Sequence, residues 1–327
     1  MALRVVEYRQ FVQILAMFMI VQFVGLLLAT QIFTGAVYSQ IKSVQVVSSS
    51  IDALFYIAYI IIASVVILLI FKVYKGDKLF LVLEAVVIIG ASFIVFLVAI
   101  ASLQGDAFNA LFGNTSIAVY VAALALSIAL IIAKYKKPSL RNTTAMIASV
   151  GVGLVIGTSF SFLVAMIFMV ILAVYDFIAV FITKHMIALG NMAIEKNLSL
   201  LVMVNEVEAV PLSSLDRKQR LEYGKHKKEA AYNGNILKGI VGSDMVPFSA
   251  RTALGTGDLA MPLMLAVASY KVNLNFVLPF VIIFGAMFGL ILTLFILRRY
   301  KRALPAIPPI LFGILVSMLI YFIIIHA

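Results

Sequence analysis

Ile171-Leu172-Ala173-Val174-Tyr175-Asp176-Phe177-Ile178-Ala179-Val180 is an apolar run with one carboxylate in its middle. It lies inside a longer apolar segment, residues 162–183. That is long enough to cross a bilayer, which takes ~20 apolar residues. A lone charge at membrane depth costs about 2.5–3.5 kcal/mol on insertion scales, so it persists where it has a partner or a function.

The whole chain has the same character. Of its 327 residues 64% are hydrophobic and 12% charged, against ~25% charged in soluble domains. Its mean hydropathy is +1.15. Nine segments read as spans: 11–30, 53–71, 79–101, 116–133, 143–158, 162–183, 252–270, 276–297 and 303–325. The fifth and sixth are separated by a turn around Gly157-Thr158-Ser159. The first follows Arg4 and Arg9 as a signal peptide would, but its apolar run is long and no A-x-A site follows, so it is read as a span. With nine spans, 23 of the 25 Lys and Arg fall on one side, and only Lys42 and Lys271 on the other. The positive-inside rule makes the crowded side cytoplasmic. The expected fold is therefore an all-α polytopic membrane protein of nine transmembrane helices, N-terminus cytoplasmic and C-terminus extracytoplasmic. Residues 1–183 form a six-helix part, 184–251 a cytoplasmic hydrophilic loop and 252–327 a three-helix part, together one domain. Within the loop, Ile187 to Leu201 suits a short interfacial helix and the rest reads as solvated and mobile.

Several functions are excluded. No cysteine is present, so disulfides, thiolate metal sites and a thiol nucleophile are out. His185, His226 and His326 have no ligand-spaced partners and no HExxH occurs, so neither metal nor cofactor is expected. The net charge of +11 is topogenic, with adhesion to anionic lipid as a second effect. Nucleic acid is not an expected partner, and no Ser/His arrangement suggests a serine hydrolase.

Two other acids lie within spans. Glu84 is near the cytoplasmic start of the third and is expected to snorkel to the interface. Asp258, in Gly255-Thr256-Gly257-Asp258, comes early in the seventh span, seven residues past Arg251. Asp176 is eight residues from Lys184 at the end of the sixth. At ~1.5 Å per helical residue the two aspartates reach depths of about 12 and 10 Å on consecutive antiparallel helices. Two close carboxyls in a low-dielectric site share one proton. The ionised member can then activate water while the protonated one donates to a peptide carbonyl. Gly255 and Gly257 allow a kink or a close backbone approach beside Asp258. The same acids would also suit a proton- or ion-coupled transporter or channel, and a silent membrane scaffold is a third reading.

Tyr175-Asp176 followed by Gly255-Thr256-Gly257-Asp258 resembles the presenilin and signal-peptide-peptidase family of intramembrane aspartyl proteases. A third family element, Pro-Ala-Leu-Pro at the start of the last span, is matched in three of four positions by Arg302-Ala303-Leu304-Pro305. Layout and motif order resemble archaeal presenilin homologues most. The resemblance implies an intramembrane aspartic endopeptidase with Asp176 and Asp258 as catalytic pair. Tyr175, Gly255, Gly257, Ala303, Leu304 and Pro305 would support the site or bind substrate. It implies transmembrane protein or peptide substrates, a multi-pass location in the cell membrane and no obligatory accessory subunit. The substrate is expected to unwind and pair as a strand near Ala303-Leu304-Pro305. Tyr175 either donates a hydrogen bond to the pair or simply packs.

Gly153/Gly157 and Gly285/Gly289 form GxxxG pairs, whose ordinary meaning is helix packing and whose other meaning is a homo-oligomer interface. Asn114-Thr115-Ser116 is a glycosylation sequon on the expected outer side.

Overall fold

The computed structural model describes residues 2–34, 77–103, 116–182, 198–211, 245–300 and 304–326. The expected second span at 53–71, most of the loop, Ala303, His185, His226 and the sequon's Asn114 and Thr115 lie outside them. Eight α-helices are described: α1 (Ala2–Thr34), α2 (Asp77–Ser102), α3 (Ser116–Lys136), α4 (Arg141–Ser159), α5 (Phe162–Phe177), α6 (Thr256–Asn273), α7 (Val277–Tyr300) and α8 (Ile307–His326). Seven segments among the described residues are long and apolar enough to cross a membrane: Gln10–Phe33, Leu81–Ser102, Ile117–Lys136, Arg141–Ser159, Phe162–Ile182, Val277–Leu297 and Ile307–Ile325. The fold is a mostly helical, polytopic membrane fold.

It is not purely helical. Two strands, β1 (Leu201–Pro211) and β2 (Met245–Gly255), pair into a two-stranded sheet. This corrects the all-α expectation, the helix expected to reach Leu201, and the reading of these parts of the loop as solvated and mobile. It also moves the start of the seventh helix from residue 252 to Thr256, because Thr252-Ala253-Leu254-Gly255 is strand.

The chain divides into two compact units. One, Met1–Ile14 with Met203–Ala253, contains most of the sheet. The other, Leu15–Val202 with Leu254–Ala327, holds the helical core. Within that second unit α6 is central. Its acid, proline and lysine make it less apolar than its neighbours, yet Leu259, Ala260 and Pro262 through Tyr270 are all buried. A helix buried all round has neighbours on every side. Here they are α1, α4, α5 and α7. The α4 contact is close because of Gly153 and Gly157: a Cβ on Gly157 would lie 2.7 Å from the Met264 carbonyl oxygen. Gly285 and Gly289 of α7 do the same against α8, where a Cβ on Gly289 would lie 2.5 Å from the Ile310 Cα. Both GxxxG pairs therefore pack helices within the chain.

The break between α4 and α5 falls at Phe160-Ser161, just beyond the expected turn, and the Ser161 hydroxyl accepts from the Val164 N–H at 3.5 Å. At its far end α6 stops at Leu274, in left-handed conformation with φ 50°. One turn earlier, Lys271 Nζ donates to the Thr158 carbonyl at 2.8 Å, which satisfies an orphan acceptor at the end of α4.

Glu84 departs from the sequence expectation. It does not snorkel but is 3% exposed, with Lys134 Nζ donating to both carboxylate oxygens at 2.7 Å. The packing of α2 against α3 brings the two to one level, and a buried carboxylate needs such a partner.

Candidate active site

Asp176 is the penultimate residue of α5. Beyond Phe177 the chain continues as a π-helical turn, Ile178–Ile182. Such turns widen a helix locally and recur at functional sites. Asp176 is 5% exposed, whereas its neighbour Tyr175 is 43% exposed, because adjacent helical residues point about 100° apart. The structure thus turns Tyr175 outward from the face that buries Asp176.

The Asp176 carboxylate is held by backbone. The Ile307 N–H donates to Oδ2 at 3.2 Å, and the Ala306 amide lies beside the same carboxylate. Ile307 is the first residue of α8, whose opening N–H groups have no partner inside the helix. Pro308 and Pro309 follow and have no N–H of their own, so the Ala306 and Ile307 amides are the donors that this helix start presents. Leu304 and Pro305 form the non-helical approach to them, and Pro305 and Ala306 are buried. The Leu304-Pro305 part of the motif leads into the helix N-terminus that faces Asp176.

Asp258 sits in the first turn of α6. Its Oδ2 accepts the Gly255 N–H at 3.2 Å, so the acid caps the helix that carries it. Gly255 is constrained by this contact, since a Cβ there would lie 3.0 Å from Asp258 Oδ2. Gly257 differs: a Cβ there would meet nothing within 4 Å. Pro262, one turn on, cannot donate to the Asp258 carbonyl, so that acceptor lacks its usual helical bond. Asp258 lies within electrostatic reach of Asp176. Asp176, near the end of α5 and bonded by the start of α8, thus lies in the electrostatic neighbourhood of Asp258 in the first turn of α6.

A cavity of about 330 Å³ reaches the start of α6 at Thr256 and Gly257, and neither aspartate lines it. Gly257 and Thr256 form one wall, and Val87, Val152 and Leu198 supply apolar surface, with Ser149 and Ser199 as polar groups. Sequence reasoning missed these two serines, and it read the Glu84 carboxylate, at the same cavity, as snorkelling to the interface. None carries a local motif, and only tertiary packing collects them. Among the described residues no group of three or more His, Asp or Glu side chains could hold a metal ion.

Comparison with known proteins bears on the fold and the family. The family model described as signal-peptide peptidase, presenilin aspartyl protease matches residues 15–327. Two solved structures of a presenilin family intramembrane aspartate protease share the fold. One, in the C222 space group, has 19% identity and a TM-score of 0.59, covering 95% of this chain and 97% of the other. The second, in the P2 space group, has 21% identity and a TM-score of 0.55, covering 94% of each chain. No curated protein sequence matches the chain. The family match over nearly the whole length, with a multi-pass helical fold, makes this chain a member of the signal-peptide peptidase and presenilin family of aspartyl proteases, hydrolases integral to the membrane.

Proposed function

We propose that this protease cuts peptide bonds within transmembrane helices, with Asp176 and Asp258 as its general acid/base pair. The observation that carries the reading is that two acids from separate helices are held by the backbone openings of α8 and α6, with Asp258 within reach of the Asp176 charge. The ionised carboxylate takes a proton from a water molecule as its oxygen attacks the scissile carbonyl carbon. The protonated carboxyl gives its proton to the carbonyl oxygen. Collapse of the tetrahedral intermediate breaks the C–N bond, with a proton passing to the leaving amine. The pair acts as a unit, so neither role belongs to one residue alone.

A helical substrate must unwind before its carbonyl is reachable, and the exposed backbone must be paired in lipid. Non-helical backbone flanks both acids: strand β2 ends at Gly255 beside Asp258, and Leu304-Pro305 precedes the amides on Asp176. Strand addition to one of these segments is the expected binding mode. The open space at Gly257 and the adjoining cavity suit the unwound segment. Tyr175, Gly255, Gly257 and Ala303-Leu304-Pro305 are assigned supporting roles. We place the protein in the membrane with nine spans and a cytoplasmic N-terminus, acting on single-span substrates without an accessory subunit. The family assignment does not favour the ion-coupled transporter.

The test is mass spectrometry of a single-span substrate incubated in liposomes with the purified protein, alongside Asp176→Ala and Asp258→Ala. Fragments ending inside the apolar segment, present only with wild type, are expected. Cuts confined to the soluble flanks, or surviving both substitutions, would sink the proposal.

A further inference from the structure

The buried Glu84–Lys134 pair lies outside the acid pair, on α2 and α3. Its hydrogen bonds nonetheless lead to Asp258. Glu84 is almost completely buried and takes both its charge partner and a backbone donor. Lys134 Nζ lies 2.7 Å from each carboxylate oxygen, and the Ser199 N–H donates to Oε1 in a short bond. The Tyr135 hydroxyl adds a longer contact of 3.4 Å to Oε2. Glu84 thereby fixes the turn at Ser199-Leu200, far away in sequence. The Leu200 carbonyl in turn accepts from both the N–H and the hydroxyl of Thr256, each at 3.1 Å. On the other side of Thr256, its carbonyl accepts from the Ser149 hydroxyl of α4 at 3.1 Å. Thr256 is the first residue of α6, next to the Gly255 amide that holds the Asp258 carboxylate. Every link from Lys134 to Asp258 is thus a hydrogen bond or a peptide bond.

From this connection we infer that Glu84 and Lys134 are positioning residues for the protease reaction. The pair anchors the Ser199-Leu200 turn, the turn anchors Thr256, and Thr256 sets where α6 begins and where its acid points. Stability alone does not explain the arrangement. A buried ion pair is often matched or exceeded in stability by apolar residues of similar volume. An apolar pair could pack α2 against α3 but would offer no acceptor to the Ser199 N–H. The inference rests on the proposal that Asp258 is catalytic.

The experiment measures kcat, KM and the thermal midpoint on a single-span substrate. The variants are wild type, Glu84→Met/Lys134→Met, Thr256→Val, the combination of these, and Asp258→Asn. The double methionine variant is expected to melt at or above the wild-type temperature, with kcat about tenfold lower, since small misplacements of reacting groups cost up to ~100-fold. Because Glu84 also lines the cavity suited to the unwound segment, KM is read beside kcat, and a positioning role shows as a fall in kcat larger than any rise in KM. Thr256→Val removes only the hydroxyl link, so kcat should fall about threefold and the midpoint barely move. Combined, the changes should cost no more than the methionine pair alone, because both cut one chain of contacts. Wild-type kcat in a folded methionine variant overturns the inference. Should that variant not fold, wild-type kcat in Thr256→Val overturns it instead. Asp258→Asn separates the layers: if it still cleaves, the catalytic reading fails, and if it is dead while the methionine pair is fully active, only the positioning role fails.

Discussion

The N–H of Ile307 donates to Oδ2 of Asp176 at 3.2 Å, across 131 residues of chain. The start of α8 therefore orients an acid on α5, and Pro305 shapes the approach by fixing one backbone torsion two residues earlier. Replacing Pro305 with alanine frees that torsion at a stability cost of about 0.4–1 kcal/mol. If the helix start aims Asp176, kcat should fall about tenfold or more while the protein stays folded. Cleavage kinetics beside a thermal melt check this, and unchanged kcat would show that the aim is set elsewhere.

The two glycines ahead of Asp258 should separate in behaviour. A methyl group on Gly255 meets the Asp258 carboxylate at 3.0 Å, whereas one on Gly257 meets open space. Gly255→Ala should displace the acid and lower kcat about tenfold in the absence of any large change in melting. Gly257→Ala should melt with wild type, and its penalty should appear in KM, where substrate competes for the space. Equal kcat losses with unchanged KM in both variants would contradict this division.

The motifs that identify the site were legible because each is local. Asp176 stands out in an apolar run, and Asp258 follows two glycines within one turn. Seven of the eight described helices were legible for the same reason, since each holds a continuous apolar segment. The strands were harder. β1 begins with Leu201-Val202-Met203-Val204 and continues through Val207 and Val210, a β-branched enrichment that signals a strand. Its glutamates and the basic stretch beyond it favoured a solvated loop. The Glu84–Lys134 pair was hidden because Lys134 reads as a loop cation until α2 and α3 are packed. Ile307 could not have been found at all from its side chain, because it contributes only its backbone N–H.

Close helix packing predicts a stability defect unrelated to chemistry. Gly289 lies against Pro309 and Ile310 backbone atoms that have no freedom to move aside. Gly289→Ala should cost about 1–3 kcal/mol by overpacking the α7–α8 contact. Urea or thermal unfolding in detergent measures it, and an unchanged midpoint would mean that the two helices part easily.

Leu274 points the other way. It ends α6 with φ 50° and is half-exposed, so its side chain contributes little packing. Left-handed backbone costs a non-glycine residue roughly 1–2 kcal/mol. Leu274→Gly should raise the thermal midpoint, corresponding to a gain on the order of 1 kcal/mol after the entropy of glycine is offset. A lower midpoint would show that the leucine packs against something that stabilises it more.

The central claim is that Asp176 and Asp258 act as one catalytic unit. Single-turnover cleavage of a single-span substrate in liposomes tests it, comparing wild type with Asp176→Asn, Asp258→Asn and the double variant. Residues that act as a unit are grossly non-additive, so each single variant should lose at least ~1,000-fold and the double variant no more than either. Substantial cleavage by either single variant, or losses that multiply in the double variant, would contradict the account.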